Sequence, residues 1–217
     1  RFNRSGRYGG HVAHDVTKSK RTVSSTHRTR ATGLGVTVGA LTGYAVVDLS
    51  ILVQGPQTSA MLHDLGADVV KVELPEVGDL GRWLTVAVDD DRSPYVEANN
   101  RGKRSVALDL RTPGGKRALF KLVEKADVLI HNFVPGTAEA WGIDYEDFLE
   151  INPQLVYAAG STFGPEGPNS QREGADMVGQ AEGGIVSVTG HDDGHPTIVG
   201  SEISDHLGAQ NLITGIL

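Results

Sequence analysis

Short apolar runs alternate with amphipathic segments along most of the chain, and this pattern predicts strands separated by helices. Runs rich in Val predict buried strands at residues 44–52 and 67–73. Between them, the Gly55-Pro56 turn places Pro56 at the start of a helix over residues 57–65, which Gly66 ends as a C′ glycine. This βαβ unit predicts a parallel sheet with a right-handed crossover.

The alternation continues towards the end of the chain. Thr112 is placed to cap a helix that begins with Pro113. Residues 74–104 have no regular period and predict a long surface excursion, a kind of loop that is usually functional or disordered. Further strands are expected at residues 105–110, 127–133 and 155–163, and further helices at residues 113–125, 136–141 and 144–151. The pattern as a whole predicts an α/β fold with a doubly wound, mostly parallel sheet.

Residues 174–210 carry the most distinctive pattern. A helical run with Asp176 near its start precedes a glycine-rich, hairpin-like turn at residues 189–196. A short strand is then expected at residues 197–204, leading into a helix headed by Asp205. A carboxylate at a strand-to-helix junction lies beside free backbone N–H groups. From the residues alone, Asp205 is either a nucleophile or a helix cap, since Asp is a favoured capping residue.

In doubly wound sheets, ligands bind outside the carboxyl ends of the strands. Several polar and aromatic residues fall at this edge on the predicted strands: Arg111, Asn132, Phe133, Phe163 and Asp205. The first strand-to-helix turn lacks the GxGxxG fingerprint of dinucleotide binding. We therefore do not expect NAD as the ligand.

The composition excludes several classes of site. With 39% hydrophobic and 22% charged residues the chain is globular, and its net charge of −7 does not favour nucleic acid as a partner. There is no cysteine, which excludes disulfides, thiolate metal sites and cysteine nucleophiles. His191, His195 and His206 lack metal-ligand spacing, so no metal is expected. No apolar run approaches the ~18 residues of a membrane span, and a cytoplasmic location without membrane contact is predicted.

Residues 1–43 differ from the rest of the chain. They hold eight Lys or Arg residues and one acid, Asp15, whereas the remainder holds 12 basic and 26 acidic residues. Because they lack apolar periodicity, we interpret them as a disordered extension. An organelle transit peptide and a nucleic-acid-binding arm are alternatives that this composition leaves open. The helical pattern still running at Leu217 predicts that the domain over residues 44–217 is incomplete at its C-terminus.

Five segments taken in order carry a family resemblance: residues 49–79, 99–136, 142–168, 174–184 and 200–210. Together they resemble the class III CoA-transferase family, which includes formyl-CoA and carnitine CoA-transferases and α-methylacyl-CoA racemases. The resemblance covers about residues 44–217. It implies the Rossmann-like large domain of such an enzyme, an interlocked homodimer, and an acyl-CoA and a carboxylic acid as substrates. Coenzyme A is the implied cofactor, and no metal is needed.

The resemblance also implies roles for individual residues. Asp205 aligns with the aspartate that attacks the thioester, and N–H groups at its helix N-terminus are expected to stabilise the oxyanion. Asp176 keeps the acidic character of its position and either orients the substrate or caps its helix. Lys103-Arg104 either anchors the following strand or contacts a phosphate. The implied contacts to coenzyme A are Val53, Gln54, Leu108, Arg111, Asn132 and Phe133.

One departure bears on the reaction. Racemases of the family carry a His where this chain has Ala175, and alanine cannot transfer a proton. Transferases often have Tyr at this position, so the acyl group is not predicted. The function expected from the sequence is an acyl-CoA:carboxylate CoA-transferase that works through a covalent aspartyl intermediate. The alternatives are a racemase or epimerase of the same family and a non-catalytic CoA-binding domain.

Overall fold

A computed structural model describes residues 39–84 and 93–217. These residues form one five-stranded sheet in the order β3-β2-β1-β4-β5, and all of its strand pairings are parallel. The strands are β1 (Ala45–Asp48), β2 (Asp68–Glu73), β3 (Arg104–Ala107), β4 (Val128–His131) and β5 (Val156–Ala159). The chain winds outwards from β1 to β3 and then returns to β4 and β5, so the strand order reverses between β1 and β4. The predicted α/β, doubly wound fold is confirmed.

Helices cover both faces of the sheet. They are α1 (Gln54–Asp64), α2 (Gly81–Leu84), α3 (Pro94–Asn99), α4 (Pro113–Val123), α5 (Thr137–Trp141), α6 (Tyr145–Phe148), α7 (Asp176–Glu182) and α8 (Ile203–Ile216), with a 3-10 turn at Ile185–Val188. Because side chains alternate along a strand, Ile130 of β4 packs in the core under α1 and α8, whereas Leu129 packs in the core under α4 and α6. None of the helices in the two described ranges combines the length and apolar composition needed to cross a bilayer.

Two helix boundaries follow the predicted local chemistry. Gly66 adopts φ +107° directly after Leu65, the C-cap residue of α1. The Thr112 side chain accepts the Gly115 N–H at 3.1 Å, and Pro113 opens α4. The predicted start of α1 is wrong by three residues, because the helix begins at Gln54 and Pro56 is its third residue. Proline is tolerated there because the N–H groups of the first helical turn have no intrahelical partner.

The predicted strand at residues 197–204 is wrong. Residues 195–202 have no regular structure, and the Val199 N–H is donated to the Gln180 side chain instead of to a neighbouring strand. The excursion at residues 74–104 contains α2 and α3, and its acidic run at residues 89–91 lies outside the described residues. The expected extension at residues 1–43 also lies outside them up to residue 38; beyond it, the Leu41 N–H donates to the Leu65 carbonyl at 2.8 Å.

Candidate active site

The β1–α1 turn (residues 49–53) lies at the carboxyl edge of the sheet, where the strand order reverses. Leu52 adopts φ +67°, a left-handed conformation that is strained for a residue with a side chain. The Asn132 side chain, which follows β4, holds the turn: its Oδ1 accepts the Ile51 N–H and its Nδ2 donates to the Ile51 carbonyl, each at 2.8 Å. Asn132 is therefore at the predicted edge, with its amide engaged by the turn.

A buried ion network of Asp48, Lys71, Asp79 and Lys103 underlies this turn. Lys71 Nζ lies 2.9 Å from Asp79 Oδ2, without hydrogen-bond geometry, and donates to the Ser50 carbonyl at 2.6 Å. Lys103 Nζ donates to Asp48 Oδ2 at 2.9 Å. All four side chains are at most 2% exposed. The network helps to hold the turn, because Lys71 binds the Ser50 carbonyl of the turn while the opposite charges of the network pair with one another.

The network also shifts the ionisation of its members. Burial alone would raise the pKa of Asp48, but the charges of Lys71 and Lys103 outweigh it and hold that pKa well below its usual range. Burial lowers the pKa of Lys103 to about 8. Lys103 is thus a buried structural anchor, one of the two roles that the sequence allowed. The sequence analysis missed Asp48, Lys71 and Asp79; two of them are charged residues within apolar strands, which is the signal that identifies such a network.

A cavity of about 260 Å³ opens beside the turn and is lined mainly by apolar side chains. Three of the predicted CoA contacts line it, namely Leu108, Arg111 and Phe133. The Phe133 ring packs against Trp141 with centroids 5.4 Å apart. A cavity of this kind, apolar inside with a cation at its rim, suits a planar heterocycle that carries a phosphate.

Arg111 is exposed and forks onto Asp109. Its Nε lies 2.8 Å from Asp109 Oδ1, and its Nη2 lies 2.9 Å from Asp109 Oδ2. The hydrogen bonds raise the pKa of Arg111 and lower that of Asp109. A phosphate at this position has to share the guanidinium with Asp109 or displace the carboxylate.

Asp205 is the third residue of α8 and is partly buried. Within the described residues its carboxylate accepts no hydrogen bond, and the N-cap position of the helix belongs to Glu202. Burial raises the pKa of Asp205 to about 6, helped by the charges of Asp176 and Glu202 and opposed by His206. Asp205 is therefore a partly buried carboxylate with a raised pKa, and it is not the cap of its helix.

Asp176 opens α7, but its carboxylate caps α8. Its Oδ1 accepts the N–H groups of Ser204 at 2.8 Å and Asp205 at 3.3 Å. The Ile203 N–H donates to the Ser201 carbonyl, and the His206 N–H donates to the Glu202 carbonyl. The N–H groups at the start of α8 are thus all engaged. The expectation that they serve as oxyanion donors is wrong, because the Asp176 carboxylate and two backbone carbonyl groups already accept them.

Val53 and Gln54 lie between the β1–α1 turn and helix α8. Val53 is buried and directly precedes α1, and Gln54 is the first residue of the helix. The Gln54 amide packs between Gly160 and Gly208 so closely that a Cβ on either glycine would overlap it. Gly208 is one turn after Asp205 in α8, so Gln54 connects the β1–α1 turn with the helix that carries the predicted nucleophile.

Tyr95 of α3 is a further residue that the sequence analysis missed. Burial raises its pKa, and the carboxylates of Glu202, Asp205, Asp79 and Asp176 raise it further. It lies in the excursion whose sequence has no regular period, and no local signal identifies it.

The structure thus groups Leu108, Arg111 and Phe133 around the cavity, and Asp176 with Asp205 at the start of α8. Asp205 does not line the cavity itself.

Within the described ranges, no group of three or more His, Asp or Glu side chains has an arrangement suited to a metal ion. This edge of the sheet brings together one partly buried carboxylate, an apolar cavity with an arginine at its rim, and the β1–α1 turn.

Comparison with known proteins identifies the family. The sequence profile of CoA-transferase family III matches residues 41–217. An acetyl-CoA:oxalate CoA-transferase from Acetobacter aceti is 40% identical over 179 residues, which cover 82% of this chain and 46% of that protein. A succinyl-CoA:mesaconate CoA-transferase from Haloarcula hispanica is 42% identical over 83% of this chain and 47% of that protein.

A solved structure gives the same result. A CaiB/BaiF family protein from Brucella suis superimposes with a TM-score of 0.78 at 40% identity, covering 83% of this chain and 48% of that protein. The chain spans about half the length of the relatives that it matches. On the profile match, the sequence identity and the shared fold, the chain belongs to CoA-transferase family III.

Proposed function

We propose that the whole protein is an acyl-CoA:carboxylate CoA-transferase in which Asp205 is the covalent nucleophile. The observation that carries the proposal is the state of Asp205: a partly buried carboxylate, without a hydrogen-bond partner among the described residues, in the first turn of α8. Its pKa of about 6 leaves it mostly ionised at neutral pH, yet more basic than an ordinary carboxylate. Both properties favour attack on a carbonyl carbon.

The proposed reaction begins when an Asp205 carboxylate oxygen bonds to the thioester carbonyl carbon. The carbon–sulfur bond breaks, and CoA leaves as the thiolate, which produces a mixed anhydride. The thiolate then attacks the Asp205 carbonyl of the anhydride and releases the donor acid, so that CoA is now held as an aspartyl thioester. The acceptor carboxylate repeats the sequence in reverse, leaves as a new acyl-CoA and restores the free carboxylate.

The relatives suggest a panel of substrates. Their names specify acetyl-CoA, formyl-CoA and succinyl-CoA as donors, and oxalate and mesaconate as acceptors. We propose that the acceptor is likewise a small dicarboxylate. The interlocked homodimer and the cytoplasmic location stay predictions. Two exposed apolar side chains, Met177 in α7 (61% exposed) and Val188 in the 3-10 turn after it (83% exposed), support a subunit contact on this part of the chain.

The function is tested by intact-mass measurement of the whole protein after incubation with each donor, with and without hydroxylamine. We expect a CoA-sized adduct on the peptide that carries Asp205, and hydroxylamine should remove it. If CoA binds but no donor gives an adduct, the covalent mechanism is contradicted. Rapid exchange of the substrate α-proton in heavy water would instead support a racemase.

Adduct formation is expected to depend on the ionisation of Asp205. Because burial and the neighbouring carboxylates raise its pKa to about 6, the rate should fall as the pH drops through that value and should level off above it. Single-turnover rates measured from acid to neutral pH give the apparent pKa. A midpoint near the ordinary value for Asp, 3.8, would contradict the raised pKa.

Arg111→Ala is expected to raise the dissociation constant of CoA by roughly tenfold, because it removes a charged, forked contact to phosphate. Titration calorimetry measures the constant. Arg104→Ala is the matched control, since Arg104 is also exposed and forks onto an aspartate, Asp68. Equal weakening in both variants would assign the effect to net charge and contradict a specific contact at Arg111.

A further inference from the structure

The Gln180 side chain is completely buried in the middle of α7 and connects two chain segments. Its Oε1 accepts the Val199 N–H at 2.8 Å. Its Nε2 donates to Asp176 Oδ2 at 2.6 Å and lies 3.3 Å from the Ser201 carbonyl oxygen. One amide therefore holds the irregular segment that enters α8 and, at the same time, one oxygen of Asp176.

The other oxygen of Asp176 holds the nucleophile's own backbone. Asp176 Oδ1 accepts the N–H groups of Ser204 and Asp205, so both carboxylate oxygens are fixed, one by Gln180 and one by α8. Gly179 permits this approach of the two helices, because a Cβ there would lie 2.9 Å from the Ser204 Cβ. Hydrogen bonds thus run without a gap from the Gln180 amide to the backbone of Asp205.

We infer that Gln180 is a positioning residue for the Asp205 carboxylate, acting through Asp176 and through the segment that leads into α8. The inference rests on the proposed role of Asp205 as the nucleophile. A neutral amide suits this position because its N–H group stabilises the ionised form of Asp176 without cancelling its charge. An apolar side chain of similar size would remove the donor to Asp176 Oδ2, which frees that carboxylate to turn away from the start of α8.

Gln180 therefore also sets the electrostatic surroundings of Asp205. The titratable groups that face Asp205 are Asp176 on α7, Glu202 directly before α8, His206 on α8, and Tyr95 on α3. Of these, Asp176 is the one that Gln180 contacts. If Asp176 turns away, its charge no longer acts on Asp205, and the pKa of Asp205 falls towards its ordinary value.

Two variants of the whole protein test the inference. In Gln180→Leu, we expect the single-turnover rate of adduct formation to fall by roughly tenfold or more. We also expect the acid limb of its pH–rate profile to move to lower pH. In Gln180→Glu, the new carboxyl and Asp176 must share a proton. The protonated Glu donates to Asp176 as the amide does. At acid pH this variant should therefore match the rate of the wild type at the same pH, and it should fall below the wild type as the shared proton dissociates.

Carbon-13 NMR titration of aspartate carboxyls, with Asp205→Asn for assignment, measures the pKa of Asp205 directly and does not depend on turnover. A lower pKa in folded Gln180→Leu supports positioning. An unchanged pKa and acid limb in both variants, whether or not the rate falls, would overturn it. Failure of the proposed function gives a different result: the wild-type protein would bind CoA but form no adduct.

Discussion

Asp205→Asn is expected to reduce CoA transfer by at least about 10⁴-fold while CoA binding changes by no more than a few fold. Asparagine keeps the size of the side chain but lacks the anionic oxygen that attacks the thioester. Steady-state assays and intact mass measure the two parts of the effect, and the hydroxylamine-sensitive adduct should disappear. Asp192→Asn, the same substitution at an exposed site in the turn before α8, is the matched control. Retained turnover in Asp205→Asn would contradict the nucleophilic role.

The same substitution should stabilise the fold at neutral pH. The pKa of Asp205 rises from 3.8 to about 6 on folding, so the folded state binds its proton more tightly. The associated stability is fully present below pH 3.8 and is lost as the pH rises through about 6. After allowance for solvent screening of a partly exposed group, the cost is about 1–2 kcal/mol at pH 7, which the neutral amide avoids.

Urea denaturation at neutral and acid pH tests this linkage. The free energy of unfolding of Asp205→Asn should exceed that of the wild type at pH 7 by about 1–2 kcal/mol, and the difference should vanish in acid. A variant that is less stable than the wild type at neutral pH would contradict the raised pKa of the Asp205 carboxylate.

Lys71→Met is expected to lower the free energy of unfolding by about 3–5 kcal/mol. Lys71 lies between two carboxylates, Asp48 and Asp79, and all three side chains are at most 2% exposed. Removal of the ammonium leaves buried negative charge without compensation and also removes the hydrogen bond to the Ser50 carbonyl. The β1–α1 turn should loosen as a result, and CoA binding should weaken with it.

Equilibrium denaturation of Lys71→Met and of Arg104→Met compares the loss of a buried cation with the loss of an exposed one. Arg104 and Asp68 form an exposed pair, with side chains 66% and 60% exposed. Its loss should cost no more than about 1 kcal/mol. Adding Asp79→Asn to Lys71→Met should restore part of the stability, because it removes one uncompensated carboxylate. A cost for Lys71→Met as small as that for Arg104→Met would contradict the buried ion network.

Local sequence chemistry determined much of the fold. The Val-rich runs that became β1 and β2, the left-handed Gly66 and the Thr112 cap each depend on residues a few positions apart, so the sequence predicted them. The strand order was not predicted. The expected strand at residues 197–204 failed because extended segments need a neighbouring strand edge, and Gln180 took the Val199 N–H instead.

For the site, the sequence by itself determined which residue types stand at the carboxyl edge of the sheet and, through the family resemblance, singled out Asp205. Only the tertiary structure decided how they are held. Asn132 bonds a residue 81 positions away, and Asp176 caps a helix that begins well after its own. Lys71 is enclosed by carboxylates from two other segments. Such contacts depend on distance in space and on desolvation, and neither can be read from the order of residues along the chain.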